Sequence, residues 1–459
     1  MLPLRENAFG LMGLLDSTEE EVLAKLATRV LVSAPNDGLA ALLGSDISAL
    51  LERSLQVVHS GAVDVEVAVG TAFQTDAKLK LHVSLSADAL SISTGAGTSE
   101  VSDEVPGLLR KIAACYAAGH VIAKSLESDQ FQNLPDPFVV RFSAFGVSAD
   151  DLKRAILFDD TVLVGAGGVG NGFMWAASEL DIQGRLTIAD PKNIAVGGLN
   201  RCLYFTSDDV KNSSAKATVL AERTTRPGFE VDAFVGKFSD LVAKRGRVRR
   251  VITTPDSREV RRSVQDDLPL EVLDASTTDL SEVVVHSHRQ PTDGACLACI
   301  YVHLPVEEQR KIHTAEGLGL TVEEVSRGFI DEEIARKLVG LHSNLVEQDL
   351  HDLIGKAFDT VYKDQCGAGA LKNAAGQQAV APLAFISNLA GALLALELVR
   401  FEVNQSASSC YMSLSPWHQP SVHARRSAAR KDSCHFCGPD KNGRMVLLDL
   451  WSDTLNASA

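Results

Sequence analysis

The chain has 459 residues and a formal net charge of −15, with 45% hydrophobic, 22% charged and 5% aromatic residues. That length has room for two or three domains and a large core, and the composition is that of an ordinary soluble globular protein. The acidic balance and the scarcity of rings disfavour nucleic acid as a partner, and no apolar run reaches the roughly 18–20 residues of a membrane span.

Residues 1–21 include an acidic segment where a secretory signal would need an apolar core, so the cytoplasm is the expected compartment. In that compartment the eight cysteines suggest metal ligands, nucleophiles or buried small groups rather than disulfides.

Residues 1–135 read as a small α/β unit. Helical spacing covers Glu19–Val32, alternation marks strands at Val63–Gly70, Leu79–Leu85 and Ala89–Thr94, and Val105–Leu126 reads as a buried helix. No glycine loop and no cluster of catalytic residue types occurs there. A polar, proline-containing stretch over Glu127–Pro137 marks a boundary, and the second unit is expected over 138–440 with a tail at 441–459.

In the second unit a helix is expected near Ala149–Leu157, then a strand at Asp160–Val164 and a helix over Asn171–Leu180. Strands follow at Arg185–Asp190, Glu230–Val235, Arg249–Thr254 and Leu270–Asp274, with helices at Ala215–Arg223 and Asp256–Asp266. This rhythm implies a parallel sheet wound on both faces, with ligands beyond the carboxyl ends of its strands. Residues 305–365 are charged and helical, with a break near His342–Glu347. Ala379–Val399 is a packed core helix rather than a membrane span, Arg425–Lys431 a solvated basic loop, and the tail beyond Leu450 frayed.

Five constellations carry chemistry. Gly165-Ala166-Gly167-Gly168-Val169-Gly170 ends a strand and opens a helix, an arrangement that offers backbone N–H groups to phosphate. Asp190, at the end of the next strand, suits a ribose hydroxyl; with the loop alone a dinucleotide oxidoreductase stays open. Leu199-Asn200-Arg201 and then Lys216 add two cations, which a triphosphate needs and a hydride transfer does not. Asp256 follows another strand, as a Mg²⁺ ligand, a helix N-cap, or both. Cys296-x-x-Cys299 and Cys434-x-x-Cys437 together make a four-thiolate structural zinc site, whereas a single such pair could be redox-active. Cys366, in a glycine-containing loop ahead of the long apolar helix, is a nucleophile or an inert loop thiol, while Cys115 and Cys410 read as structural and Cys202 as either.

As a set these features resemble the adenylation domain of the ubiquitin-activating-enzyme (E1) family, including the ThiF, MoeB and microcin-adenylating members. The matching residues are GAGGVGN at 165–171, Asp190, Leu199-Asn200-Arg201, Lys216-Ala217, Asp256 and Arg261. The sequence departs from the family at Lys192, where a second Asp is common, and at Cys202, where Gln is usual; Lys211 is a fallback for the lysine role. The resemblance implies a Rossmann-like, doubly wound E1 adenylation domain. Its glycine loop (Gly165, Gly167, Gly168, Gly170) and Asn200 would lie in the ATP site, with Asp190 on the ribose, Arg201 and Lys216 on the phosphates and Asp256 on Mg²⁺. It places Arg141 in a partner protomer's site, hence a homodimer, and makes Cys366 the thioester-forming cysteine.

The N-terminal unit looks like a degenerate adenylation-like domain, because Ala113–Leu126 faintly echoes Ile386–Arg400. That layout is similar to the E1-like proteins of bacterial ubiquitination-like operons, associated with anti-phage defence, with a ubiquitin-like protein and an E2-like protein as partners. The alternative is a sulfur-carrier or peptide adenylyltransferase without an obligatory thioester.

Overall fold

The computed structural model describes residues 2–95, 98–131, 133–278, 280–302, 305–342, 345–366, 383–404, 409–421 and 423–457. The first unit begins α1 (Leu2–Leu15), α2 (Glu19–Leu26), β1 (Arg29–Ser33), α3 (Gly38–Leu51) and β2 (Gln56–Val57). It continues β3 (Val65–Val69), β4 (Leu79–Leu85), β5 (Ala89–Thr94), α4 (Gly107–Leu126) and β6 (Phe138–Arg141). Its sheet runs β2-β1-β3-β4-β5-β6, parallel as far as β4 and antiparallel beyond it.

The single helix expected over Glu19–Val32 is in fact a helix and a strand. Thr18 and Glu21 close a capping box on α2, which stops at Leu26, and the β-branched Val30 and Val32 then enter β1. A short apolar run fits either period, so spacing alone does not separate them. β6 adds Phe138–Arg141, residues expected to open the second unit, to the edge of the first sheet, where Phe138 pairs with Ile92.

The second unit begins β7 (Ile156–Val164), α5 (Gly168–Ala177), β8 (Ile182–Ala189), α6 (Ser207–Lys211), α7 (Lys216–Thr224), β9 (Phe229–Phe234) and α8 (Phe238–Arg245). It continues β10 (Arg250–Thr253), α9 (Arg258–Asp266), β11 (Glu271–Thr278), β12 (Glu282–Arg289) and α10 (Leu297–Ile300). Five short helices follow: α11 (Pro305–Leu318), α12 (Val322–Val325), α13 (Glu332–Leu341), α14 (Leu350–Leu353) and α15 (Phe358–Cys366). The chain ends α16 (Ala384–Val403), β13 (Ser409–Leu414), β14 (Arg425–Arg426), α17 (Gly443–Leu450) and α18 (Ser452–Ala457).

The second sheet runs β14-β13-β12-β11-β10-β7-β8-β9. From β11 to β9 it is parallel, as the alternating rhythm requires, but β12, β13 and β14 are antiparallel, so the sheet is mixed. Residues alternate across it: Val162, Val251 and Val272 face the α8–α9 side, while Leu163, Ile252 and Leu273 face α5 and α16.

Three further expectations are corrected. No α-helix forms near Ala149–Leu157; one 3₁₀ turn at Asp151–Lys153 leads into β7, which starts at Ile156 and shifts register between Phe158 and Thr161. Arg425 and Arg426 are a strand, not a solvated loop, because Arg425 is drawn inward by an ion pair with buried Glu397. The tail past Leu450 is helical through Ala457, anchored by Trp451 Nε1 donating to the Leu268 carbonyl at 2.9 Å.

α16 is the one helix among the described residues long and apolar enough to span a membrane, and 94% of its apolar window is buried inside the protein. It packs on α4 from the first unit and on α5, β11 and β12 from the second. The α5–α16 crossing is backbone on backbone. A Cβ at Gly391 would stand 2.2 Å from the Phe173 nitrogen, and one at Gly172 2.7 Å from the Asn388 Cα. Gly391→Ala separates two effects of opposite sign. Helix propensity alone predicts stabilisation by about 1 kcal/mol, whereas overpacking predicts a loss of about 1–3 kcal/mol. Denaturant unfolding should show the loss; a raised midpoint overturns the close crossing.

Candidate active site

The glycine loop joins β7 to α5 and lines a cleft of ≈870 Å³ with Asp190, Lys192, Arg201, Lys216 and Asp256. Gly165 has φ +97°, where a side chain is strained, and a Cβ at Gly170 would stand 2.2 Å from the Gly165 carbonyl oxygen. Thr254, past the end of neighbouring β10, donates to that same carbonyl at 2.6 Å. Asn171 closes the loop from inside, donating to the Ala166 and Gly167 carbonyls at 3.0 and 3.1 Å and accepting from the Tyr204 N–H.

Asp190 is buried beside the loop. It accepts from the Ala166 N–H at 2.8 Å through one oxygen and from the Lys192 N–H at 2.8 Å through the other. The carboxylate therefore shapes the loop, with lone pairs left for a further donor.

Arg201 lies along the loop, its stem 3.0 Å from where a Gly168 Cβ would be. Its Nη1 donates to Asn200 Oδ1 at 2.8 Å and to the Gly197 carbonyl at 2.9 Å. Lys216 opens α7, and its backbone N–H donates to the Lys192 carbonyl at 3.0 Å, which ties the start of that helix to the loop after β8. Asn200 is fully buried behind the cleft wall, so it reaches the cleft only through Arg201.

Asp256 follows β10 and Lys192 follows β8, the two strands that flank β7. Their ion pair of 3.4 Å thus bridges strand ends on either side of the glycine loop. Asp256 is exposed to the cleft, and a carboxylate there fits Mg²⁺, which takes one or two carboxylates with phosphate oxygens and water. Behind it Arg261 is a buried strut, ion-paired with Asp274 and donating to the Pro255 and Ala275 carbonyls at 2.6 and 2.9 Å.

Cys296, Cys299, Cys434 and Cys437 converge, all buried, with their sulfurs within 4.8 Å of one another. Zn–S bonds of about 2.3 Å place the sulfurs of a tetrahedron about 3.8 Å apart. Cys296 lies 3.8, 3.8 and 3.6 Å from Cys299, Cys434 and Cys437. The Lys431 N–H points at Cys299 Sγ from 3.4 Å, as suits a charged thiolate. The set fits a structural zinc ion and leaves no open coordination position.

Other expected residues lie apart. Arg141 is exposed at the end of β6 and outside the lining of its own chain's cleft. The backbone at Cys366 is helical rather than loop, because Phe358, Val361 and Tyr362 pack α15 into the small helical core. Its side chain, and residues 367–382 after it, lie outside the described residues. Cys115, Cys202 and Cys410 are buried, and burial pushes the Cys202 thiol up. Three contributors were given no role of their own from the sequence: Asn171 inside the loop, Thr254 beneath it, and Ser387 of α16, which lines the cleft. Asn171 was legible as the last residue of the glycine motif; the other two had no local signal.

Residues 141–436 match the ThiF family and residues 3–148 match the E1 N-terminal domain. The chain belongs to the ThiF family: its second unit is an E1-like adenylation domain and its first an E1 N-terminal domain. It is 26% identical over 362 residues to the uncharacterized protein y4jF of Sinorhizobium fredii (strain NBRC 101917 / NGR234), covering 73% of this chain and 66% of that protein. The chain thus spans about two thirds of the length of that relative. Among solved structures, E. coli MccB with ATP is 14% identical over 78% of this chain and 98% of its own, with a TM-score of 0.37. The E. coli tRNA N6-threonylcarbamoyladenosine dehydratase TcdA is 18% identical over 54% and 86%, with a TM-score of 0.29. Likeness at these scores says nothing of this chain's chemistry.

The purified chain should carry about one zinc per molecule by elemental analysis, and Cys299→Ser should lose most of it. Chelation should lower Tm, because the ion ties residues 434–437 to 296–299. A metal-free protein whose Tm ignores chelator overturns the assignment.

Proposed function

We propose that this chain is an ATP-dependent E1-like activating enzyme for a small ubiquitin-like protein. Carrying the reading is one observation: the glycine loop after β7 and, after β8, a buried carboxylate and two cations share one cleft with exposed Asp256. Asp190 would hold the ribose, Arg201 and Lys216 the phosphates, and Asp256 the Mg²⁺. The metal's contribution is charge neutralisation on the phosphate oxygens.

In the first step a carboxylate oxygen of the modifier's C-terminus bonds to the α-phosphorus. The bond from that phosphorus to the bridging oxygen breaks, and pyrophosphate leaves with its electron pair. The protein's part is to hold the two reactants in line and to meet charge with Arg201 and Lys216. In the second step the Cys366 thiolate bonds to the acyl carbon and AMP leaves, giving a thioester that passes to a cysteine of an E2-like protein.

Arg141, exposed on its own chain, is assigned to the cleft of a second copy, which makes a homodimer part of the reading. An E1 N-terminal domain ahead of the adenylation domain supports the layout of bacterial ubiquitination-like operons. The expected compartment is the cytoplasm.

Cys366→Ala tests the second step. The variant should keep ATP–pyrophosphate exchange with the cognate modifier and lose the thiol-reducible adduct seen with the wild type. An adduct that survives in the variant sinks the Cys366 assignment. Exchange without any adduct in the wild type favours adenylation alone, as for a sulfur carrier or peptide.

A further inference from the structure

The segment that carries Arg201 is held from the other unit. Asn200 accepts from Arg201 Nη1 at 2.8 Å through Oδ1, and its Nδ2 donates to Asn7 Oδ1 at 2.8 Å, a contact between residues 193 positions apart. Asn7 lies on α1, fully buried like Asn200, and donates Nδ2 to the Arg53 carbonyl at 2.6 Å. The Arg53 side chain returns to the same segment, donating to the Leu199 carbonyl at 2.7 Å and the Leu203 carbonyl at 3.2 Å.

Chemistry fixes the direction of this relay. A carbonyl only accepts and a guanidinium only donates. Asn7 must therefore turn its NH₂ toward Arg53 and its oxygen toward Asn200. Asn200 must then turn its NH₂ toward Asn7, which leaves its oxygen for Arg201. Neither amide can flip without setting a buried donor against a donor. The relay ends on the one side chain of this segment that lines the cleft among those named for phosphate. Holding one guanidinium nitrogen in place cuts the rotamer freedom that a long side chain loses when it meets an anion.

We infer that Asn7 is a positioning residue for Arg201: the first helix of the N-terminal unit, acting through Asn200, orients the guanidinium that meets the β- and γ-phosphates. The inference rests on the phosphate role proposed for Arg201. It adds a task for the N-terminal unit: it sets the triphosphate affinity of its neighbour's site.

A purely structural role for Asn7 would loosen every nucleotide alike, whereas positioning of Arg201 acts only where β- and γ-phosphates are present. Dissociation constants for MgATP and for AMP, measured by calorimetry on the full chain, separate the two. Asn7→Ala should weaken MgATP about fivefold and leave AMP within about twofold. Arg53→Ala, which removes the donors to Leu199 and Leu203 but leaves α1 intact, should show the same selective loss and serves if Asn7→Ala folds poorly. In an Arg201→Ala background, Asn7→Ala should add nothing further. Equal weakening of MgATP and AMP, or a full additional loss in that background, overturns the relay. If Arg201→Ala alone leaves MgATP affinity unchanged, the phosphate reading fails and the relay falls with it. If Arg201→Ala weakens MgATP while Asn7→Ala and Arg53→Ala do not, only the relay fails.

Discussion

Everything in this molecule leans on the contact between α16 and α5. A twenty-residue helix buried on nearly every side must bring its neighbours close, and Gly172 and Gly391 let two backbones touch where any side chain would hold them apart. α5 is the helix that the glycine loop opens onto, so the crossing also sets where the loop points. At its amino end α16 delivers Ser387 to the cleft and Asn388 to the Arg201 carbonyl at 3.3 Å; at its other flank it meets α4 of the first unit. One helix thus serves as the shared core of both units.

An apolar helix of this kind could settle in several registers, and buried charge selects one. Glu397, fully buried on α16, accepts from Ser287 at 2.6 Å and from Arg400, and forms an ion pair with Arg425. Burial pushes its carboxyl up, but the Arg400 hydrogen bond and the two guanidinium charges outweigh that and hold it below the usual carboxylate range. Glu271 is arranged the same way, against Arg250 and Arg289. Within the first unit Arg110 and Lys111 of α4 pair with Asp46, and Arg110 crosses to the second unit to reach Glu179 just past α5 at 2.6 Å. Losing one member of such a cluster costs about 3–5 kcal/mol, because it strands its partner in low dielectric. These ion pairs make the alignment of sheet, helix and N-terminal unit specific.

The cleft inherits that rigidity. Its loop is fixed from below by Thr254, from inside by Asn171 and from the side by Asp190, so its N–H groups are set before any anion arrives. Arg201 comes from a segment with little regular structure and Lys216 from the first turn of α7, and each is tied down by backbone or amide contacts. The four cysteines act at the far end of the sheet, where they bring the C-terminal segment back to the loop after β12.

The sequence by itself determined what depends on neighbours along the chain. Strand–loop–helix at 160–180, the alternation of β3 to β5, the acidic residue after β8 and the two Cys-x-x-Cys pairs are local patterns, each with a local physical cause. Those were enough for the fold class and for gathering the cleft residues. Tertiary structure decided what depends on residues far apart. Whether 29–33 is helix or strand turned on the sheet waiting beside it, and whether Arg425 is solvated turned on Glu397 in another element. Three antiparallel strands at one sheet edge followed from pairing, which periodicity does not encode. Asn200 carried the right motif but stands behind the cleft, and its link to Asn7 crosses the whole length between two units. A hydrogen bond between distant residues leaves no periodic trace, so only the folded chain could show that the N-terminal unit holds the arginine of the other.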